Sequence, residues 1–287
     1  MKFVQTVTED KLILQGLLSP ADSADTVILH IHGMSGNFWE NTFIKTMLVE
    51  YPKNNISFLT VETRGSELHR WFSKTDGALK LIGNSYEIFE ESELDLRAWI
   101  TYLISQGYKK IHLQGHSLGC SKIAYYVTKN SSPEVQSLLF ISPADMLGLI
   151  LEPKMQEQHE RLVSEATSLK HSGNGATLLS ETFWGYARMS ADSYINFFGS
   201  NAATAIFNFF KPELGYNVIN KINKPILSIL GTADDGAATD QFECTDIFKR
   251  EAQNCPKFNG LVYDGASHSF EKFEAQIVAD VLKFIAK

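Results

Sequence analysis

The stretch Lys110-Ile111-His112-Leu113-Gln114-Gly115-His116-Ser117-Leu118-Gly119-Cys120-Ser121-Lys122-Ile123-Ala124-Tyr125-Tyr126-Val127 changes its period midway. Residues 110–114 read as a short strand, and residues 118–128 carry a helical apolar pattern. Between them stands Gly-His-Ser-Leu-Gly, a G-x-S-x-G sequence. A strand that turns into a helix within so few residues holds the central serine in a strained conformation. The flanking glycines remove the side chains that would clash there. Ser117 is therefore the candidate nucleophile.

Strands alternate with helices on both sides of this turn. Residues 3–7 and 12–18 read as a hairpin, and 26–32 as a buried strand ending at Gly33. A helix over 39–51 and a strand over 57–61 follow. A polar loop over 64–85 leads to a helical stripe over 86–105. Later strands are expected at 137–141, 225–230 and 261–263, with a closing helix over 271–286. This rhythm predicts the α/β class, with a mostly parallel central sheet flanked by helices. Residues 147–221 have helical patterning and no strand. They read as a helical cap inserted into a core made of 1–146 and 222–287.

The composition agrees with a packed globular chain. Its 287 residues are 44% hydrophobic and 21% charged, with a formal net charge of −7. Disordered chains are more charged and poorer in aromatics. The acidic balance argues against nucleic acid and anionic membranes as partners, since both call for clustered Lys and Arg. The cysteines Cys120, Cys244 and Cys255 are odd in number and lack metal-site spacing, so they read as reduced thiols. The N-terminus lacks the apolar stretch of a signal peptide, and no run approaches the ~18 apolar residues of a membrane helix. A cytoplasmic location is the expectation.

A serine hydroxyl needs a base, and the base needs an orienting group. His268 lies in Asp264-Gly265-Ala266-Ser267-His268, just past the last strand, and is the candidate base. Asp234, three residues after Gly231 behind the strand at 225–230, is the candidate orienter. Asp235 is its neighbouring alternative and Asp145 an outside one. The oxyanion formed during attack requires two backbone donors. The N–H of Leu118 is one, and that of Met34, in His32-Gly33-Met34-Ser35-Gly36, is the other. Such a set requires no metal and no cofactor. Activity is expected to fall below pH ~6.5, where an ordinary histidine protonates.

In its order of elements and motifs the chain resembles the α/β-hydrolase-fold serine hydrolases over nearly its whole length. Glu62-Thr63-Arg64-Gly65 is similar to an Asp-x-Arg-Gly found in that family, with Glu replacing Asp. Tyr86-Glu87-Ile88-Phe89-Glu90-Glu91 and Ser190-Ala191-Asp192-Ser193-Tyr194 resemble segments of a group of capped esterase-like hydrolases. The resemblance implies Ser117 as nucleophile, His268 as base, Asp234 as orienter, and Met34 and Leu118 as oxyanion donors. Aromatics crowd the cap, and the loop bearing His69, Arg70, Trp71 and Phe72 is expected to border the same cleft. Gly33, His116, Trp71, Phe183, Trp184 and Phe197 are the candidate substrate-binding residues. The substrate expected is a bulky, largely apolar small-molecule ester or lactone, for example a macrolactone such as a macrolide. Thioester, amide or carbon–carbon cleavage by the same residues, and a non-catalytic ligand receptor on this scaffold, remain alternatives. The sequence does not specify an oligomeric state.

Overall fold

The computed structural model describes residues 1–286. In chain order the first half holds β1 (Lys2–Val7), β2 (Ile13–Ser19), β3 (Thr26–Ile31), α1 (Thr42–Lys53), β4 (Ser57–Val61), β5 (Trp71–Ser73), β6 (Leu79–Leu81) and α2 (Ser92–Ser105). β7 (Lys110–His116), α3 (Leu118–Lys129) and β8 (Val135–Ile141) follow, then α4 (Met146–Leu151), α5 (Gln156–His171) and α6 (Ala191–Phe198). The chain closes with β9 (Ile226–Ala233), α7 (Gln241–Glu251), β10 (Phe258–Ser267) and α8 (Glu274–Ile285).

The main sheet has the order β1-β2-β4-β3-β7-β8-β9-β10. β1 and β2 pair antiparallel, as do β2 and β4, and every later pairing is parallel. β4 is buried along its whole length, and β3, β7 and β8 almost so. Continuous apolar runs of this kind belong to parallel strands covered on both faces. α1 and α8 cover one face, through Phe43, Ile44, Met47, Ile277 and Val281 against Ile28, Leu139 and Ile229. On the other face, Leu96, Trp99, Ile123 and Phe248 pack against Leu29, Leu113 and Leu138.

Several predicted boundaries shift. The helix expected over 39–51 starts at Thr42, because Asn41 is extended at its N-cap and the Trp39 ring packs edge-on against Phe38. The helix expected over 86–105 starts at Ser92. Ahead of it come two 3₁₀ turns, Asn84–Tyr86 and Phe89–Glu91, which turn Glu87 and Phe89 inward. The loop over 64–85 contains the β5–β6 hairpin. Arg64 is fully buried there, bonded to Asp95, Glu91 and Asp10. β10 extends well beyond 261–263, with a register irregularity between Tyr263 and Ser267. Among the described residues no helix is long and apolar enough to cross a membrane.

The segment joining β8 to β9 holds α4, α5 and α6. Its interior is aromatic: Phe183, Tyr194 and Phe198 lie with ring centroids 5.2 to 5.5 Å apart. Phe197 extends the group to Phe89 of the core at 6.1 Å.

One close approach sets the geometry at the top of the sheet. A Cβ at Gly119 would stand 2.3 Å from the Ile31 carbonyl oxygen and 2.6 Å from that of His32. The first turn of α3 therefore rests directly on the end of β3. Gly119→Ala should push the two apart and destabilise the fold by about 1–3 kcal/mol. A urea-unfolding midpoint equal to that of the parent protein would contradict this.

Candidate active site

Ser117 joins β7 to α3 with φ 54° and ψ −124°. A residue with a Cβ avoids this region unless its surroundings enforce it. Here the Ser117 N–H donates to the Ile141 carbonyl at 3.1 Å, and its own carbonyl accepts from Cys120 at 2.9 Å. Gly115 is required beside it, since a Cβ there would meet the Cys120 nitrogen at 2.5 Å. The turn lifts the Ser117 side chain into a cleft that His268 also lines. Among the described residues no hydrogen bond joins the two side chains, a common state in sites without substrate.

Two backbone N–H groups border Ser117 without an acceptor among the described residues. Leu118 opens α3, so its N–H has no partner within the helix and lies at the positive end of the helix dipole. The second belongs to Met34, and His32 explains its direction. His32 Nδ1 donates to the Gly33 carbonyl at 2.7 Å, and Gly36 N–H donates to the same oxygen at 3.2 Å. His32 Nε2 accepts from Thr63 N–H at 3.1 Å and from the Ser66 hydroxyl at 2.8 Å. In a planar trans peptide the carbonyl and the next N–H point in opposite directions. Holding the Gly33 oxygen against His32 therefore turns the Met34 N–H the other way. Burial, with Lys122 nearby, pushes the His32 pKa down to about 3, so the ring stays neutral and the pattern is fixed.

His268 Nδ1 donates to Asp234 Oδ1 at 2.7 Å. Asp234 also accepts from Gly236 N–H at 2.8 Å and from the Ser142 hydroxyl at 2.5 Å. Burial opposes ionisation of Asp234, but the His268 hydrogen bond and charge, with Ser142 and Gly236, outweigh it and hold its pKa below the usual value. For His268, burial disfavours the cation. The hydrogen bond and charge of Asp234, joined by the charge of Asp235, win and raise its pKa above 6.5. The sequence contains no signal that singles out Ser142, which stands in an ordinary-looking Ser142-Pro143 turn.

The other predicted residues divide. Met34 and Trp184 line the cleft with Ala144, Met146, Leu149 and Tyr186, and its volume is about 360 Å³. Trp184 and Tyr186 reach it from a tight turn closed by paired bonds between Phe183 and Ala187. Phe183 and Phe197 do not line it: they are 1% and 0% exposed and fill the interior of the helical segment. Trp71 is 60% exposed and faces solvent, because strand alternation in β5 turns Phe72 inward instead. Nor does His116 line the cleft. Its Nε2 donates to the His268 carbonyl at 2.9 Å, and burial lowers its pKa to about 3. Gly33 packs under Ser117, where a Cβ would lie 3.0 Å from that of the serine. Asp145 is the N-cap of α4, accepting from Gly148 and Phe210 N–H at 2.8 Å each, and is not bonded to His268. Asp235 stands on the cleft wall. Asp234, Asp235 and His268 offer polar atoms within 4.8 Å of one another, but the Asp234–His268 pair is already joined by its own proton.

No family model and no curated protein matches this chain. Solved structures do. The siderophore hydrolase EstB from Aspergillus fumigatus is similar with a TM-score of 0.74 at 13% identity, covering 100% of this chain and 97% of its own. Est1E from Butyrivibrio proteoclasticus, solved with ferulic acid bound, gives 0.67 at 16% identity over 99% and 100%. The α/β hydrolase GrgF from Penicillium sp. sh18 gives 0.67 at 15% identity over 99% and 96%. The chain has the α/β-hydrolase fold.

The electrostatics can be checked by side-chain NMR. His268 should titrate with a midpoint above 6.5, whereas His116 and His32 should stay neutral down to about pH 3. A raised folded-state value means that His268 contributes stability below its unfolded pKa, lost as pH rises through the folded value. Asp234→Asn removes the compensating charge, so burial should then bring the His268 midpoint below 6.5. A midpoint unmoved by that substitution would contradict the assignment.

Proposed function

We propose that the chain is a serine hydrolase of carboxylic esters working through an acyl-enzyme. One observation carries the reading. Ser117, strained at φ 54°, shares its cleft with a histidine bonded to a buried carboxylate, between two backbone N–H groups that lack acceptors among the described residues.

In this reading the Ser117 hydroxyl attacks the ester carbonyl while His268 Nε2 takes its proton. The carbonyl oxygen gains the negative charge and is met by the N–H groups of Met34 and Leu118. His268 then returns the proton to the leaving alcohol, and the acyl group stays on Ser117. Water, deprotonated by the same histidine, releases the acid. Asp234 holds the imidazole with Nδ1 protonated and stabilises the transient imidazolium. The siderophore-hydrolase name of EstB and the ferulic acid bound to Est1E support hydrolytic chemistry on this fold.

The cleft supports an ester with a compact apolar group. Met34, Ala144, Met146, Leu149 and Trp184 form its apolar wall, and Glu152, Lys154, Tyr186 and Asp235 add polar groups. About 360 Å³ lies near the lower end of small-molecule sites. A macrolactone would present its ester edge here and leave the rest of its ring outside.

Ser117→Ala should abolish turnover of aryl esters with no change in circular dichroism, and an unchanged rate would sink the proposal. In the parent protein kcat/KM should fall on the acid side with a midpoint above 6.5, following the raised pKa of His268. His32→Ala removes the shorter of the two bonds holding the Gly33 carbonyl, leaving only Gly36 N–H, and loosens the peptide that aims the Met34 N–H. It should lower kcat by up to about 10²–10³-fold, the range for losing one oxyanion donor, with KM little changed. An unaltered kcat in that variant would show that His32 does not hold the donor.

A further inference from the structure

We propose that Ser142 is a positioning residue, a fourth member of the hydrogen-bonded set, which fixes the proton of His268 on Nδ1. The proposal rests on the hydrolase reading above.

The geometry is a closed ring of three side chains. Ser142 Oγ lies 2.5 Å from Asp234 Oδ2 and 2.7 Å from His268 Nδ1, and Nδ1 lies 2.7 Å from Asp234 Oδ1. Ser142 and the Asp234 side chain are both fully buried, so water does not substitute for either contact. A hydroxyl has one proton to give. Asp234 is acceptor-only when ionised, and among the described residues Ser142 is the sole partner of its Oδ2. The Ser142 proton therefore goes to the carboxylate, and a lone pair of Oγ faces Nδ1. Nδ1 then meets two acceptors, Oγ and Oδ1, and satisfies both only by carrying a proton. That leaves Nε2 as the basic nitrogen of the ring, the one that must take the proton of Ser117. Ser142 also restrains rotation of the carboxylate, whose Oδ1 is held by Gly236 N–H at 2.8 Å.

The backbone carries an independent observation. Ser142 has φ 51°, a left-handed conformation in which glycine is unstrained and a residue with a Cβ is not. Its N–H donates to Ile229 at 2.8 Å, locking the end of β8 to β9 in that conformation. Glycine would satisfy the backbone, and serine adds only the hydroxyl that enters the ring. Fold and chemistry thus make opposite demands on this position.

That opposition gives the test. Ser142→Gly and Ser142→Ala should each lower kcat for an aryl ester about ten- to a hundredfold, the factor carried by a hydrogen bond to a charged group, with KM little changed. Both variants leave Asp234 Oδ2 without its partner and should melt below the parent protein, Ser142→Gly less so than Ser142→Ala because glycine relieves the positive φ. Undiminished kcat in both variants would overturn the proposal. So would activity lost in Ser142→Ala but kept in Ser142→Gly, since the backbone conformation and not the hydroxyl would then be what matters. Labelling of Ser117 by a fluorophosphonate separates this proposal from the reading beneath it. No labelling of the parent protein overturns both. Labelling of the parent, with Ser142→Gly labelled just as fast, overturns the role of Ser142 alone.

Discussion

Everything at the top of the sheet depends on the backbone of Ser117 being held at positive φ. The conformation is unfavourable for any residue with a Cβ, so neighbouring contacts must enforce it. Gly115 and Gly119 supply the necessary absence of side chains, the first beneath Cys120 and the second against the carbonyls of Ile31 and His32. The same close packing that strains the serine brings β3 alongside α3. Gly33 then passes under Ser117, and Met34 lines the cleft that Ser117 enters. The strained serine and the placing of Gly33 beneath it are consequences of one steric arrangement.

Polar groups behind this surface complete it by fixing directions. His32 spends both ring nitrogens on the loops around it and so sets the peptide between Gly33 and Met34. His116 holds the backbone carbonyl of His268, and Asp234 holds its ring. Burial keeps His32 and His116 neutral, while His268 is pulled the other way by adjacent carboxylates. Three histidines within one small region thus take two different protonation behaviours from their surroundings alone.

Much of this was legible in the sequence where the signal is local. The strand-turn-helix around Ser117 announces itself through period and glycines. The loops carrying Asp234 and His268 each follow an apolar strand, and the structure brings those two side chains together. Side-chain direction was harder to read. Trp71 and Phe72 differ by one residue, yet alternation in a short hairpin buries the second and exposes the first. Phe183 and Trp184 differ by one residue as well: one fills the interior of the helical segment and the other reaches the cleft. Helix starts at Thr42 and Ser92 depended on extended or 3₁₀ backbone that the apolar stripe does not encode. Ser142 was invisible, because its role arises from Asp234 and His268, 92 and 126 residues away.

The central claim is a covalent intermediate on one oxygen atom. Its most direct test is mass spectrometry of the parent protein, acid-quenched during turnover of a slowly deacylating aryl ester or carbamate. The account predicts an adduct with the mass of the acyl group on the peptide containing Ser117, absent from the Ser117→Ala protein. Turnover with no adduct, or an adduct on another residue, would contradict it.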